Sequence, residues 1–151
     1  MTTSMSPPEE PVDLRTSITE RIIAAPRGVV FAAIRDPDRL ARWWGPAGFS
    51  NTFAEFDFKE GGYWRFTMHG PDGRNYPNEI VFVEIVPDER VLLEHFSGHH
   101  FLLEISLSDQ RDKTLLKWRQ TFDTIEHYRK IADFVAGANE QNIDKLVDEI
   151  M

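Results

Sequence analysis

Histidine, carboxylate and amide side chains are the groups through which this chain could do chemistry, because it contains no cysteine. None of them falls in a catalytic motif, since a glycine-rich phosphate loop, G-x-S-x-G and H-E-x-x-H are all missing from the sequence. His99 and His100 are adjacent at the start of a predicted strand, so they point to opposite faces and cannot ligate one metal together. We expect both at the surface and predict no catalytic residue, no metal site and no cofactor.

His95 is the histidine that strand alternation places on the inner side of a sheet, with Val91 and Leu93. Its imidazole is predicted to be a polar group at the rim of the core or in a cavity. If the protein is an enzyme, His95 or Glu79 is the group that would transfer a proton.

Aromatic and apolar side chains dominate the predicted inner face, and amides interrupt them. A mostly apolar surface with a few polar groups is typical of a small-molecule pocket, and it is also close to the composition of a filled core. The predicted ligand-binding residues are Trp64, Phe66, Met68, Tyr76, Asn78, Phe82, His95, Phe101, Leu103, Trp118, Gln120, Phe134, Asn139 and Asn142.

Length and charge limit the classes of protein. The 151 residues are enough for one domain with a core. The formal net charge of -8 and the pI of about 5.1 argue against nucleic acid or an anionic membrane surface as a partner. Neither an apolar stretch long enough to span a membrane nor a signal peptide is evident, so we expect a cytoplasmic protein, monomeric or homodimeric.

Six segments alternate with a period of two and are separated by turn residues, which predicts antiparallel strands. They are 52–58, 63–69, 76–86, 91–96, 100–107 and 115–122, and a first strand is predicted within 14–23. The fourth of these seven strands is apolar on both sides, so alternation leaves its parity open; the interpretation that we favour places Tyr76, Asn78, Ile80 and Phe82 inward. The charged residues Arg65, Lys117 and Arg119 have the opposite parity and are expected on the solvated outer face.

The last stretch of the chain predicts a helix from about 125 to 150, with one apolar stripe that needs a broad surface to pack on. Asp123 is the predicted N-cap, and Gly137 is a candidate kink. Asn139 and Asn142 lie on the apolar stripe. They either bond backbone or water at its rim, or face a cavity and orient a ligand.

Two short helices are predicted after the first strand. Pro26 suits the first turn of one, and Asp36-Pro37 reads as the N-cap and first residue of the next. Trp43 and Trp44 are expected to pack in the core under these helices, with a cavity lid as the alternative. Residues 1–13 are predicted to be a disordered tail, and residues 14–151 a single domain. The fold class is therefore α+β: a curved sheet of about seven strands wrapped around a long C-terminal helix.

Several motifs, in their order along the chain, resemble the SRPBCC (START-like, Bet v 1-like) superfamily. Within it, the chain is similar to the group that resembles the C-terminal domain of the activator of heat-shock-protein-90 ATPase. The motifs are Ala25-Pro26, Asp36-Pro37, Trp43-Trp44-Gly45-Pro46, Gly61-Gly62-x-Trp64, Met68-His69-Gly70-Pro71-Asp72-Gly73, residues 84–90 and residues 137–146. The resemblance implies the helix-grip fold with a hydrophobic cavity closed by the C-terminal helix. The family often has an aromatic residue where His95 stands, which indicates a more polar pocket here.

Three functions follow from this resemblance. The leading hypothesis is binding of a small hydrophobic or aromatic molecule without chemistry. The alternatives are an enzyme like a polyketide cyclase or aromatase, and a co-chaperone-like domain whose partner is a chaperone or other protein.

Overall fold

The computed structural model describes residues 10–151 and shows a seven-stranded curved antiparallel sheet that holds one long helix against its inner face. This confirms the helix-grip α+β architecture. The strands are β1 Thr16–Ile23, β2 Ser50–Phe56, β3 Tyr63–His69, β4 Asn75–Val86, β5 Arg90–His95, β6 Phe101–Gln110 and β7 Lys113–Phe122. The helices are α1 Arg27–Arg35, α2 Pro37–Trp43 and α3 Ile125–Ile150. The strand order in the sheet is β1-β7-β6-β5-β4-β3-β2.

The described chain begins with a docked segment, and a short 3-10 helix, Val12–Arg15, precedes β1. The Glu10 carboxylate accepts from the backbone N–H of Ile125 at 3.0 Å, and the Arg15 guanidinium donates to the Phe122 carbonyl oxygen at 2.7 Å. Residues 10–13 of the predicted tail thus belong to the described part of the chain, where long-range contacts hold a locally polar segment. The rest of the predicted tail, residues 1–9, lies outside the described residues.

The pairing of β3 with β4 places the residues that were predicted to face inward on the inner face of the sheet. Trp64 pairs with Ile80 and Phe66 with Asn78 across β3 and β4, and Ile80 and Phe82 are buried as predicted. The register of β4 against β5 shifts between Phe82 and Glu84, which marks a bulge. Inward parity therefore holds from Tyr76 to Phe82.

The short helices α1 and α2 close one end of the sheet. Asp36 caps α2 as predicted, because its carboxylate accepts from the backbone N–H of Asp38 at 3.0 Å and Pro37 is the first helical residue. The indole N–H of Trp43 donates to the Ala33 carbonyl oxygen of α1 at 2.9 Å. This bond ties the two helices together inside the core.

Helix α3 runs without interruption from Ile125 through Gly137 to Ile150. Its N-cap is Thr124, whose hydroxyl accepts from the His127 N–H at 3.1 Å, so the prediction of Asp123 as the cap is wrong by one residue. The Asp123 carboxylate is instead 2.6 Å from Nδ1 of His100. Within residues 10–151, no helix has the length and apolar character needed to cross a membrane.

Candidate functional site

A cavity of about 610 Å³ lies between the inner face of the sheet, the loop 44–49 and helix α3. Phe134 and Tyr76 are exposed at its edge, so the cavity opens to solvent there. A second depression, of about 580 Å³ beside the start of α3, is lined mostly by charged side chains and offers no comparable apolar wall. The larger cavity is therefore the candidate site.

The lining is predominantly aromatic and apolar, with amides and two histidines placed among these side chains. The lining residues are Trp44, Gly45, Pro46, Phe49, Phe66, Met68, Asn75, Tyr76, Pro77, Asn78, His95, Ser97, Gly98, His99, Phe101, Leu103, Trp118, Gln120, Phe134, Ala138, Asn139 and Asn142. No aspartate, glutamate, lysine or arginine is among the described lining residues. The walls therefore suit an uncharged molecule, because a charge leaving water here would meet no carboxylate or side-chain cation to pair with.

His95 is buried in the cavity wall, and a protein atom lies within hydrogen-bonding distance of each ring nitrogen. Nδ1 lies 2.6 Å from the His99 carbonyl oxygen, and Nε2 lies 2.6 Å from Oδ1 of Asn78. The Asn78 amide also donates from Nδ2 to the Tyr76 carbonyl oxygen at 2.7 Å. The ring of Phe101 stacks on the imidazole with centroids 4.6 Å apart.

Burial lowers the pKa of His95, and the hydrogen bond with the His99 carbonyl opposes this shift only in part. The ring is therefore neutral at pH 7 and carries a single N–H group. It donates either from Nδ1 to the His99 carbonyl oxygen or from Nε2 to Oδ1 of Asn78, because the Asn78 NH₂ group is directed at the Tyr76 carbonyl oxygen. In either tautomer a protein oxygen lies 2.6 Å from each ring nitrogen.

A second polar group of the cavity is formed by one residue of the sheet and one of α3. The Asn139 amide donates from Nδ2 to Oε1 of Gln120 at 3.0 Å. Asn139 is only 8 % exposed. Of the two interpretations offered for Asn139, this placement is compatible with the one in which the amide faces a cavity.

Helix α3 also fixes the loop 44–49, which forms one wall of the cavity. Asn142 donates to the Trp43 carbonyl oxygen at 2.8 Å and accepts from the Gly45 N–H at 3.2 Å. Gln141 accepts from the Ala47 N–H at 3.1 Å. Asn142 thus lines the cavity, but its amide is used to hold backbone.

Lys145 completes this attachment of the loop. Its ammonium group donates to three backbone carbonyl oxygens, those of Trp44 at 3.5 Å, Pro46 at 3.3 Å and Phe49 at 3.1 Å. Burial lowers the pKa of this lysine. The three hydrogen bonds from the ammonium group hold the loop against α3.

Two of the predicted ligand-binding residues do not reach the cavity. Trp64 and Phe82 face inward as predicted, but they lie deeper, where Phe56 and Phe58 fill the space beside them. Their exposed fractions are 1 % and 2 %. The other predicted residues line the cavity: Phe66, Met68, Tyr76, Asn78, His95, Phe101, Leu103, Trp118, Gln120, Phe134, Asn139 and Asn142.

Glu79, proposed above as an alternative proton-transfer group, lies on the outer face. Its carboxylate accepts from Nε of Arg65 at 3.0 Å, and Arg65 also pairs with Glu55. Strand alternation is the physical reason, because Asn78 and Ile80 on either side of it point inward. The expectation that Arg65 lies on the outer face is confirmed.

The sequence reasoning missed the two loops of the lining. Trp43 and Trp44 are both buried in the core as predicted, and Trp44 in addition lines the cavity. Phe49 and the turn at Ser97 and Gly98 also contribute. The Trp43-Trp44-Gly45-Pro46 motif is the sequence feature that could have indicated the loop 44–49 as a wall. Its glycine is required there, because Gly45 has a φ of +95° and a Cβ at this position would lie 2.7 Å from Met68 Cε.

His99 and His100 have separate surroundings, although both precede β6 and strand alternation therefore does not account for it. His99 is exposed and lines the cavity mouth, so the expectation that it is only a surface residue misses this contact. His100 lies on the other face, 2.7 Å from Glu94 and 2.6 Å from Asp123, and these carboxylates raise its pKa. Within residues 10–151, no group of three or more histidine, aspartate or glutamate side chains is arranged to hold a metal.

Comparison with known proteins gives a family and a fold. The family described as Activator of Hsp90 ATPase homolog 1-like protein matches residues 24–150. No curated protein matches the chain significantly.

Three solved structures illustrate the likeness of fold. A protein from Nitrosomonas europaea is 18 % identical, with a TM-score of 0.84 and coverage of 91 % of this chain and 94 % of that one. The AHSA1 protein from Silicibacter pomeroyi is 19 % identical, with a TM-score of 0.72 and coverage of 89 % and 96 %. CalU16 from Micromonospora echinospora is 21 % identical, with a TM-score of 0.64 and coverage of 89 % and 75 %.

Proposed function

The chain belongs to the Activator of Hsp90 ATPase homolog 1-like family, and we propose that it binds a small, uncharged hydrophobic or aromatic molecule in the cavity between sheet and α3. The observation that carries the proposal is the cavity itself, about 610 Å³ of space with aromatic walls and no carboxylate, lysine or arginine among its described lining residues. This volume lies within the range of roughly 300–1,000 Å³ typical of ligand pockets.

The surroundings of His95 support binding over catalysis. A proton-transfer group needs hydrogen-bond access to the substrate. Both ring nitrogens of His95 are within 2.6 Å of protein atoms, and Glu79 lies on the outer face in an ion pair. The cyclase-like alternative therefore lacks a free acid or base among the two residues that it would use.

An exposed phenylalanine at the cavity mouth supports ligand entry at this point. Phe134 on α3 has 74 % of its surface exposed, and it belongs to the cavity lining. Single exposed apolar side chains are common on protein surfaces, so the support comes from the position of this ring beside an apolar cavity and not from its exposure alone. For the co-chaperone alternative the same side chain would have to contact a protein partner.

The test uses N-phenyl-1-naphthylamine, an uncharged dye whose fluorescence rises in apolar surroundings. We expect saturable binding at about one dye per chain, with quenching of Trp44 and Trp118, which line the cavity. Ala138→Trp puts an indole into the cavity from α3 and should abolish binding. Ala136→Trp is the matched control, because Ala136 is exposed two residues away on the same helix.

Circular dichroism and thermal melting establish that each variant is folded. Absence of dye binding by the folded native protein would contradict the proposal. So would dye binding that Ala138→Trp leaves unchanged, because the dye would then be bound elsewhere.

A further inference from the structure

The Gln120–Asn139 pair retains hydrogen-bonding capacity that the protein does not use. Two amides joined by one hydrogen bond leave one carbonyl oxygen and one NH₂ group without a partner. Here the unused groups are Oδ1 of Asn139 and Nε2 of Gln120, which have no partner among residues 10–151 and remain accessible. If both amides are turned around, Gln120 donates to Asn139 instead. One amide oxygen and one NH₂ group then still remain free, now on the opposite residues.

The free groups lie in an apolar part of the lining. Gln120 shares its face of β7 with Trp118 and pairs across the sheet with Leu103, and both neighbours line the cavity. Asn139 follows Ala138 on α3 and is more than nine-tenths buried. Amide groups beside apolar walls favour a ligand that hydrogen-bonds to them, because an apolar ligand that displaced water from them would leave them unpaired.

Charge limits the ligand further. Lys145, the cation near the loop wall, is committed to three backbone carbonyl oxygens and is not part of the lining. A carboxylate or ammonium group entering the cavity would therefore lose its hydration without gaining a charged side chain as partner.

On the premise of the binding function proposed above, we infer that the Gln120–Asn139 pair is the recognition element for an uncharged aromatic molecule that carries a carbonyl oxygen beside an N–H or O–H group. A primary carboxamide, a lactam or a hydroxy-ketone has this chemistry. The free NH₂ donates to the ligand carbonyl, and the free amide oxygen accepts from the ligand N–H or O–H. The aromatic walls select the ring, and the amide pair selects its polar edge.

Three naphthalenes of nearly equal shape test the inference on the unaltered protein, by displacement of N-phenyl-1-naphthylamine. 2-Naphthamide offers both groups, 2-acetylnaphthalene offers the acceptor alone, and 2-naphthoate is the anionic counterpart. We expect 2-naphthamide to bind roughly tenfold more tightly than 2-acetylnaphthalene, because the ketone leaves the amide oxygen unpaired. 2-Naphthoate should bind at least about tenfold more weakly than the ketone at pH 7, because its charge is desolvated.

The double variant Gln120→Leu with Asn139→Leu locates the effect. Replacing both partners by apolar residues of similar shape leaves no unpaired amide, so the fold should tolerate the change. The preference of 2-naphthamide over 2-acetylnaphthalene should then disappear. Gln110→Leu is the control, because Gln110 is exposed at the end of β6 and is not among the lining residues, so its loss should leave the preference intact.

The outcomes separate the two proposals. Dye binding with equal affinities for the carboxamide and the ketone, or with the carboxylate binding most tightly, overturns the inference and leaves the binding function standing. Failure of all three compounds to displace a bound dye also overturns the inference alone. Failure of the native protein to bind the dye overturns the binding function and the inference together.

Discussion

The two ends of the interior are built on the same strands and the same helix, yet one is filled and the other is hollow. At the packed end, β3, β4, β7 and α3 contribute Trp64, Phe82, Leu116 and Ile143, all at most 2 % exposed. At the open end, the same four elements contribute Met68, Asn78, Gln120 and Asn139 to the cavity. Each strand keeps one face inward along its length, and α3 keeps one stripe inward. The inward side chains are apolar at the packed end and a mixture of apolar and amide groups at the open end.

Elements from outside the sheet account for the difference. At the packed end, Phe58 in the turn after β2 lies 5.0 Å from Phe82 and 5.9 Å from Phe31 of α1 between ring centroids. At the open end, the loop 44–49, the turn after β5 and α3 surround the cavity without filling it. Whether an inward side chain is core or lining thus depends on what lies opposite it.

The largest effect is expected from Trp64→Ala at the packed end. The Trp64 ring is 4.3 Å from Phe66 and 4.9 Å from Trp44 between centroids, so its removal leaves a cavity in a filled region. We expect a loss of about 3–5 kcal/mol in the free energy of unfolding, measured by urea denaturation. Phe134→Ala at the cavity mouth should cost less than about 0.5 kcal/mol. Equal losses for the two variants would remove the distinction between the ends.

Enlarging a ring should sharpen the comparison at smaller magnitude. Phe82→Trp overfills the packed end and should cost about 1–3 kcal/mol, whereas Phe101→Trp extends into the cavity and should cost less than about 1 kcal/mol. Phe101→Trp should also block N-phenyl-1-naphthylamine, which Phe82→Trp should still bind where it remains folded. A stability order opposite to this one would mean that the open end is filled in solution.

The smallest effect concerns the ion pairs that hold the last turn of α3 beside α2. Glu149 accepts from Arg42 at 2.8 Å and from Arg39 at 3.2 Å, and the hydrogen bond with Arg42 lowers the pKa of Glu149 from 4.5 to about 2. A carboxylate whose pKa is lower in the folded chain stabilises the fold above its unfolded value, and this contribution is lost as the pH falls from 4.5 towards 2.

Glu149→Gln should therefore lower the melting temperature by a few degrees at pH 7, and the difference from the unaltered protein should vanish as the pH approaches 2. Glu126→Gln is the matched control, because Glu126 on the same helix pairs with Lys130 at an exposed site. A difference that persists unchanged at low pH would show that Glu149 acts through packing and not through charge.

Strand parity and helical period were readable from the sequence, because side-chain direction repeats with the backbone. They predicted the inward face of β4 from Tyr76 to Phe82, and the buried stripe of α3 with Asn139 and Asn142 on it. The polar breaks in otherwise apolar stripes were the sequence signal for the cavity.

Depth and loop position were not readable, since they depend on contacts between residues far apart in the chain. Trp64 and Met68 have the same parity on β3, and only the rings packed against Trp64 place it in the core. The capping of α3 by Thr124 instead of Asp123 has the same origin, because His100 holds the Asp123 carboxylate. The segment from Glu10 to Arg15 is ordered through contacts with Phe122 and Ile125.

The attachment of the loop 44–49 to α3 has a consequence for how the shape of the cavity can differ among related chains. The hydrogen bonds between helix and loop involve carbonyl oxygens and N–H groups of the loop backbone, and none of them involves a loop side chain. The helix residues that form them are Gln141, Asn142 and Lys145. Every amino acid supplies the same carbonyl oxygen, so a side chain such as that of Phe49 can be exchanged without losing these bonds. Single substitutions in the loop can thus change the shape of this wall of the cavity while the loop backbone keeps its position on α3.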